Sequence, residues 1–419
     1  MKPSHLRWSI AFALFMAALL NYIDRNVFGL LADTIQGDLK ITNQQYATIN
    51  NFFLIAYTVA NLLSGWVVDK LGVRVSMALF LTWWTISNAL TGFARSLGQL
   101  CGLRLLLGLG EAGCYTASPK AISEWFPVSE RGTAIGFYSA GGAVGATLAP
   151  IIVALVAAHW GWRAVFAVTP TIAVVWLILW FWLYRNPGAI SVQRSSEAVA
   201  ANLPKETDWA RWKQVLGAPV VWQLLLVRLI TDPTWYFFQI WMPKYLRKEW
   251  GLSQSGLSIM WMIFLAATLG FLLGGYFSGL LVKRGSLPSA ARLKIMLGSA
   301  LVVPVALWIP SAPSTMAVIG TGMLVVYAAT SWLSNVSSLV VDIVPKRILG
   351  TAFGVIACGS ALGGVFMNKG VAWLIDQHSY NGCFYIMAFL HPVAFALVWN
   401  LRKRTSPDET APVEAALAK

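Results

Sequence analysis

Twelve apolar stretches, each near the ~20 residues that cross a bilayer as a helix, recur along the chain. They run over 8–31, 46–69, 75–95, 98–121, 132–157, 164–184, 219–243, 254–282, 292–310, 314–341, 350–374 and 382–401. No other feature constrains the fold as much. Twelve spans use roughly 260 residues, and what is left suffices for short loops, one linker and a tail. Charged residues make up 11% of the chain and apolar ones 57%, whereas a soluble domain carries about 25% charged residues. Disorder, a coiled coil, collagen and a disulfide scaffold are excluded by the same figures. The expectation is an all-α integral membrane protein with 12 transmembrane helices.

Lys2 and Arg7 precede the first apolar run and could belong to a signal peptide, but no A-x-A cleavage site follows and the pattern continues through Leu31. An uncleaved first span is expected. Cys101, Cys114, Cys358 and Cys383 lack C-x-x-C spacing and read as small packing residues, not as metal ligands or a disulfide. The formal charge of +14 follows topology. With the N-terminus inside, the inner segments hold Lys70, Arg74, Lys120, Arg131, Lys283, Arg284, Lys346, Arg347 and Arg402, among others. The outer loops hold Lys40, Arg95, Arg163, Lys244, Arg247 and Lys248. That bias places both termini in the cytoplasm and explains the basic charge without nucleic acid.

The halves repeat. Glu124-Trp-Phe-Pro127, Gly132-Thr-Ala-Ile-Gly136 and Gly141…Gly145 recur as Asp342-Ile-Val-Pro345, Gly350-Thr-Ala-Phe-Gly354 and Gly359…Gly363, at a constant offset of 218. Glycine at this spacing lets helices approach closely. The expected organisation is a six-helix bundle over 1–184, a cytoplasmic linker over 185–218, a second bundle over 219–402 and a tail over 403–419. Parallel repeats of this kind build rocking transporters, with the site near the midplane between the halves.

After the second span the chain reads Gly65-Trp-Val-Val-Asp69-Lys70-Leu-Gly72-Val-Arg74. Asp69 can cap a neighbouring helix or pair with a base. The second-half counterpart has Gly279 where an acid could stand, so a weaker second latch is expected. Further strings are Asn21-Tyr22-Ile-Asp24-Arg25, Arg104…Gly108-Leu-Gly110-Glu111-Ala-Gly113, Asp232-Pro-Thr-Trp235 and Trp332…Asn335. Together with the loop signature these resemble the anion:cation symporter family of the major facilitator superfamily, and within it the bacterial hexuronate and galactonate-type proton symporters. The G-x-G-x-x-G at Gly108–Gly113 is not read as a dinucleotide site, since it lies inside a membrane span rather than between a strand and a helix. Asn335-Val-Ser337 is a sequon buried in a span, where no glycan can be added.

Seven ionisable residues fall inside spans: Asp24, Arg25, Arg104, Glu111, Arg228, Asp232 and Lys369. Each needs a partner or a wet cavity. Tyr22 and Arg25 share a helix face at i, i+3. Glu111 lies seven residues beyond Arg104 on nearly the same face, roughly 10 Å deeper. The resemblance implies that Arg25 and Arg104 attract the anionic cargo, that Asp24 and Glu111 carry protons, and that Tyr22 and Tyr57 bond the cargo. Static ion pairing is the plainer alternative for these four charges, and packing for the tyrosines. Gln239, Trp332, Asn335 and Asn368 could recognise hydroxyls from the second half. Lys369 either binds the carboxylate or snorkels. Arg228 and Asp232, one turn apart before Pro233, read as a structural pair beside the gate residues Gly65, Asp69, Lys70, Gly72 and Arg74.

The expected function is proton-coupled import of a sugar acid, hexuronate or aldonate, across a bacterial inner membrane by a monomer. No cofactor, metal or nucleic acid is expected. An organic-anion or sugar-phosphate exchanger or facilitator is the runner-up, and a transporter-like sensor a different class. An enzyme is disfavoured: the chain has four His and no nucleophile or cofactor motif.

Overall fold

The structure is a computed structural model that describes residues 3–184, 207–253, 256–377 and 380–404. Most of the linker and the tail, 185–206 and 405–419, lies outside the described residues. Helices account for nearly all of what is described, and no strand occurs among the described residues.

The first half contains α1 (Pro3–Leu30), a short α2 (Ala32–Leu39), α3 (Asn43–Leu71), α4 (Val73–Thr91), α5 (Leu97–Trp125), α6 (Val128–Trp160) and α7 (Trp162–Leu183). The second contains α8 (Asp208–Leu216), α9 (Pro219–Ile240), α10 (Met242–Trp250), α11 (Trp261–Lys283), α12 (Pro288–Val302), α13 (Thr315–Ile343), α14 (Leu349–Gln377) and α15 (Asn381–Val398). Leaving aside α2, α8 and α10, twelve long helices remain, as the apolar stretches predict. Among the described residues, nine segments are long and apolar enough to span a bilayer, and α8 with α9, joined at a 64° bend, makes a tenth. The two long helices below that mark are α4 and α5, and α5 bears Arg104, Glu111, Lys120 and Glu124. The outer surface carries exposed Phe93, Trp160, Ile178 and Leu301, which suits contact with lipid tails.

Local chemistry sets the helix ends. Thr42 and Gln45 form a reciprocal cap at the start of α3. Ser96, Ser314 and Thr207 cap α5, α13 and α8. Gly72 at φ 77° supplies the sharp turn between α3 and α4 that a side chain would strain. The ninth span is present as Pro288–Ser311, α-helical to Val302 and continuing as a 3-10 segment, Val303–Ser311, that carries two prolines. Within the linker, α8 forms.

The glycine repeat is the seam of the molecule. A methyl group at Gly132 or Gly136 would strike the backbone of Gly275 or Phe271 on α11, and one at Gly350 or Gly354 that of Gly65 or Asn61 on α3. The later glycines act within each half: Gly141 and Gly145 meet Phe15 and Leu19 on α1, and Gly359 and Gly363 meet Leu225 and Leu229 on α9. The glycines are 218 residues apart in pairs. Their partners, Gly65 with Gly275, Asn61 with Phe271, Phe15 with Leu225 and Leu19 with Leu229, are each 210 apart. The two halves therefore share one architecture and meet along α3–α14 and α6–α11.

Candidate functional site

The pocket between the halves is lined by Tyr22, Arg25, Tyr57, Asn61 and Tyr115 from the first half. Arg228, Asp232, Trp235, Tyr236 and Ser360 line it from the second. Its free volume is ≈ 20 Å³, room for about one water, so a larger solute enters only if the halves part.

Arg25 is the centre of the first-half wall. Its Nε donates to Glu111 Oε2 at 2.8 Å, and a weaker bond runs from Nη2 to Asn21 Oδ1 at 3.5 Å. The guanidinium lies 4.6 Å from the ring centroid of Tyr57, 5.3 Å from Tyr22 and 5.7 Å from Phe53. Three aromatic faces hold its plane without consuming its N–H groups. Glu111 is fully buried, and its Oε1 has no partner among the described residues. The glycines around it are packing positions. A methyl at Gly108, Gly110 or Gly113 would strike Phe53, Trp84 or Phe80, which accounts for the G-x-G-x-x-G string.

Arg104 lies outside this pocket lining, on the same helix as Glu111. It is buried, its guanidinium sits 3.8 Å from the Phe28 centroid, and its Nε and Nη2 have no hydrogen-bond partner among the described residues. Asp24 points away from Arg25, as adjacent helical residues must. Its Oδ1 accepts from Asn88 Nδ2 at 2.6 Å and makes a short bond with the Thr169 hydroxyl. Of the two acids, Glu111 alone is ion-paired with one of the two arginines among the described residues.

In the second half Arg228 and Asp232 pair at 2.6 Å, and Tyr236 hydrogen-bonds Ser360 at 3.0 Å. Asn368 accepts from Trp241 Nε1 at 2.9 Å. Asn335 is buried and donates to the Gly274 carbonyl at 3.1 Å, tying α13 to α11. Trp332 is buried edge-on to His391 at 5.2 Å. Gln239 is half-buried and Lys369 exposed. These five residues do not line the pocket. Asn61, Tyr115, Tyr236 and Ser360 do, although sequence reasoning passed over them; each sits among other polar residues of its helix, with nothing in the sequence to mark that it faces the pocket.

The gate residues cluster at one end. Asp69 accepts from Gly350 N at 3.1 Å, Thr351 N at 2.7 Å and the Thr351 hydroxyl at 2.6 Å, and forms a short ion pair with Lys120. It thus caps the N-terminus of α14 in the opposite half. Lys70 bonds Asp208 at 3.1 Å, Trp66 donates to the same carboxylate at 3.0 Å, and Arg74 donates to the Phe181 carbonyl. At the counterpart site, Gly279 admits no side chain because the Ser129 carbonyl lies 2.8 Å from where its Cβ would be. The acid there is Asp342, held by Arg292 at 3.0 Å and Arg131 at 3.4 Å, while Arg292 also donates to Val128 O across the halves. The second latch is thus built differently, around Asp342 rather than an acid at position 279.

Comparison with known proteins adds the following. The family model described as Major Facilitator Superfamily matches residues 14–367. A galacturonate transporter of Dickeya chrysanthemi is 31% identical over 317 residues, covering 72% of this chain and 90% of that protein. A hexuronate transporter of Escherichia coli strain K12 is 26% identical over 427 residues, covering 98% and 97%. Among solved structures, a proton:xylose symporter superposes with a TM-score of 0.79 at 16% identity, over 96% of this chain and 97% of that one. At that identity the structural likeness speaks for the fold.

Proposed function

The chain belongs to the Major Facilitator Superfamily, and from that premise we propose that it is a proton-coupled symporter importing an anionic sugar acid, a hexuronate or aldonate, by alternating access. It is a multi-pass membrane transporter and not an enzyme. The proposed setting is a bacterial inner membrane, with both termini cytoplasmic as the basic residues require. The halves would move as 1–184 and 219–402 about the linker 185–218, with 403–419 as a tail.

One observation carries the reading: Arg25, which lines a pocket walled by both halves, is ion-paired with the fully buried Glu111. Asp24, Arg25, Arg104 and Glu111 sum to zero when all are ionised. A cargo carboxylate adds one negative charge to a low-dielectric site, which is costly unless it is paired or neutralised. A proton on Glu111 removes the surplus and releases Arg25, whose planar fork suits a carboxylate. Cargo and proton then favour each other's binding by simple linkage. Tyr22, Tyr57 and Asn61 stand beside Arg25 to bond hydroxyls. Sugar-acid cargo is supported by the names of the two relatives above and by the sequence strings at Asp24–Arg25 and Arg104–Glu111.

Glu111→Gln tests it in proteoliposomes. Gln keeps the shape of the protonated acid. The variant should exchange labelled for unlabelled hexuronate across the membrane, yet fail to concentrate it when only a proton gradient is supplied. Exchange needs only the loaded carrier to rock, whereas net uptake needs the empty carrier to discharge its proton. Uphill uptake equal to the parent's would remove Glu111 as the coupling acid and leave Asp24 as the candidate.

A further inference from the structure

The scheme above gives no work to the second buried ion pair. Arg228 and Asp232 stand one turn apart on α9, with side chains 4% and 3% exposed, and line the wall opposite Arg25. They are not the repeat's copy of Asp24 and Arg25, whose counterparts at the 210-residue offset are Thr234 and Trp235. The pair belongs to the second half alone.

Its geometry is lopsided. Arg228 Nε and Nη2 both donate to a single oxygen, Asp232 Oδ2, at 2.9 and 2.6 Å. The other oxygen takes only a long bond from Thr231 at 3.4 Å. Arg228 Nη1 is buried with no partner among the described residues. The strongest static pairing sets the fork against both oxygens, and this pair does not. Here a cationic donor is left over on a residue that lines a polar pocket, and buried donors of this kind are rarely left unsatisfied. Tyr115 of the first half lies 5.9 Å from the guanidinium, so this group sits at the seam.

We propose that Arg228 is a second anion-recognising residue and that the preferred cargo is a sugar dicarboxylate, an aldaric acid, with one carboxylate met by Arg25 and the other by Arg228. The proposal rests on the sugar-acid reading and refines it. The charge inventory fits. The six buried groups Asp24, Arg25, Arg104, Glu111, Arg228 and Asp232 sum to zero, and the two negative charges of such a cargo are matched when Asp24 and Glu111 each take a proton. A monocarboxylate would leave the Arg228 donor facing a neutral hydroxyl, a weaker acceptor.

The test is counterflow in proteoliposomes with galactarate, galactonate and galacturonate, which share one stereochemistry and differ in the oxidation state of the two end carbons, galacturonate alone closing to a ring. The parent should half-saturate with galactarate at a concentration about tenfold or more below that for galactonate, as expected for one added charge-assisted contact. The double variant Arg228→Gln/Asp232→Asn, neutral and still able to hydrogen-bond internally, should bring the two within about threefold by weakening galactarate more than galactonate. Arg228→Lys, a second variant that keeps the charge, should recover only part of the preference. The proposal is overturned if galactarate is no better than galactonate for the parent, or if the double variant keeps the full preference. It is also overturned if the double variant loses all three cargoes together, since that marks a structural pair. Exchange of none of the three by the parent defeats the sugar-acid reading itself, which separates the two failures.

Discussion

Asp69→Asn should tip the balance between the two openings of the carrier. Asp69 receives three bonds from the opposite half, two from Thr351 and one from Gly350, and all exist only while the halves meet at this end. Its Lys120 partner lies in its own half and stays within reach in either opening. Asparagine offers one oxygen and turns an amide N–H toward donors that had found a carboxylate. One cross-half bond is lost if the amide oxygen takes the place of Oδ2, and two if it takes that of Oδ1. A hydrogen bond to a charged group is worth about 1.5–3 kcal/mol. In the better orientation the loss is about 1.5–3 kcal/mol, or roughly tenfold to a hundredfold in the ratio of joined to parted states. The assay is pulsed electron–electron distance measurement between spin labels replacing Leu71 on α3 and Arg284 just beyond α11, both exposed. The parent should give one short distance and the variant a longer one beside it. An unchanged distance distribution in a variant that unfolds at the parent's temperature would refute the claim that Asp69 holds this end shut.

Two further outcomes follow from the geometry. Arg104→Lys should weaken cargo binding at least about tenfold, read by direct binding to purified protein, because an ammonium cannot replace a flat fork stacked on Phe28; affinity within about threefold of the parent's would show that Arg104 makes no bidentate contact. Asp208, outside the spans, is held below its ordinary value by the Trp66 indole and then by Lys70. A lowered carboxyl stabilises the docked state above its ordinary range and loses that contribution as pH falls through the lowered value. The distance between labels on α8 and α3 should therefore lengthen below about pH 4 and become insensitive to pH in Asp208→Asn.

The apolar periodicity made the helices legible, and prolines account for much of where boundaries slipped. Pro304 and Pro310 lie in the stretch where the ninth span turns into a 3-10 segment, and the seventh ends at Ile240 just before α10, which carries Pro243 in its first turn. The amphipathic α8 was hidden because its reason to fold, the docking of Asp208 on Trp66 and Lys70, lies 138 residues or more away in sequence. Within the site, the relation of Tyr22 to Arg25 and of Arg104 to Glu111 is set by helical spacing on one element and could be read directly. Asp24 could not be read this way. Its partners Asn88 and Thr169 come from α4 and α7, 64 and 145 residues on, and single polar residues carry no mark of which neighbour they face.

The two gate latches show why a repeat read position by position misleads. Equivalent backbones need equivalent close approaches, so glycines recur at the offset of 218 and their contact points at 210. Charge need not recur in place, because an ion pair tolerates a donor from any element that reaches it. At Asp69 the first half could afford a carboxylate because the α14 N-terminus presents free N–H groups to it. At Gly279 the Ser129 carbonyl fills the equivalent space, so an acid there would meet an acceptor rather than donors. The acid used there is Asp342 on α13, reached by Arg292 from α12 and Arg131 from α6, whereas its first-half counterpart Glu124 accepts from the Tyr184 hydroxyl. Steric identity with electrostatic substitution leaves two sides of this one end of the seam held by different chemistry: a helix cap on one side, broken by losing backbone donors, and a three-residue ion cluster on the other, broken by losing a charge.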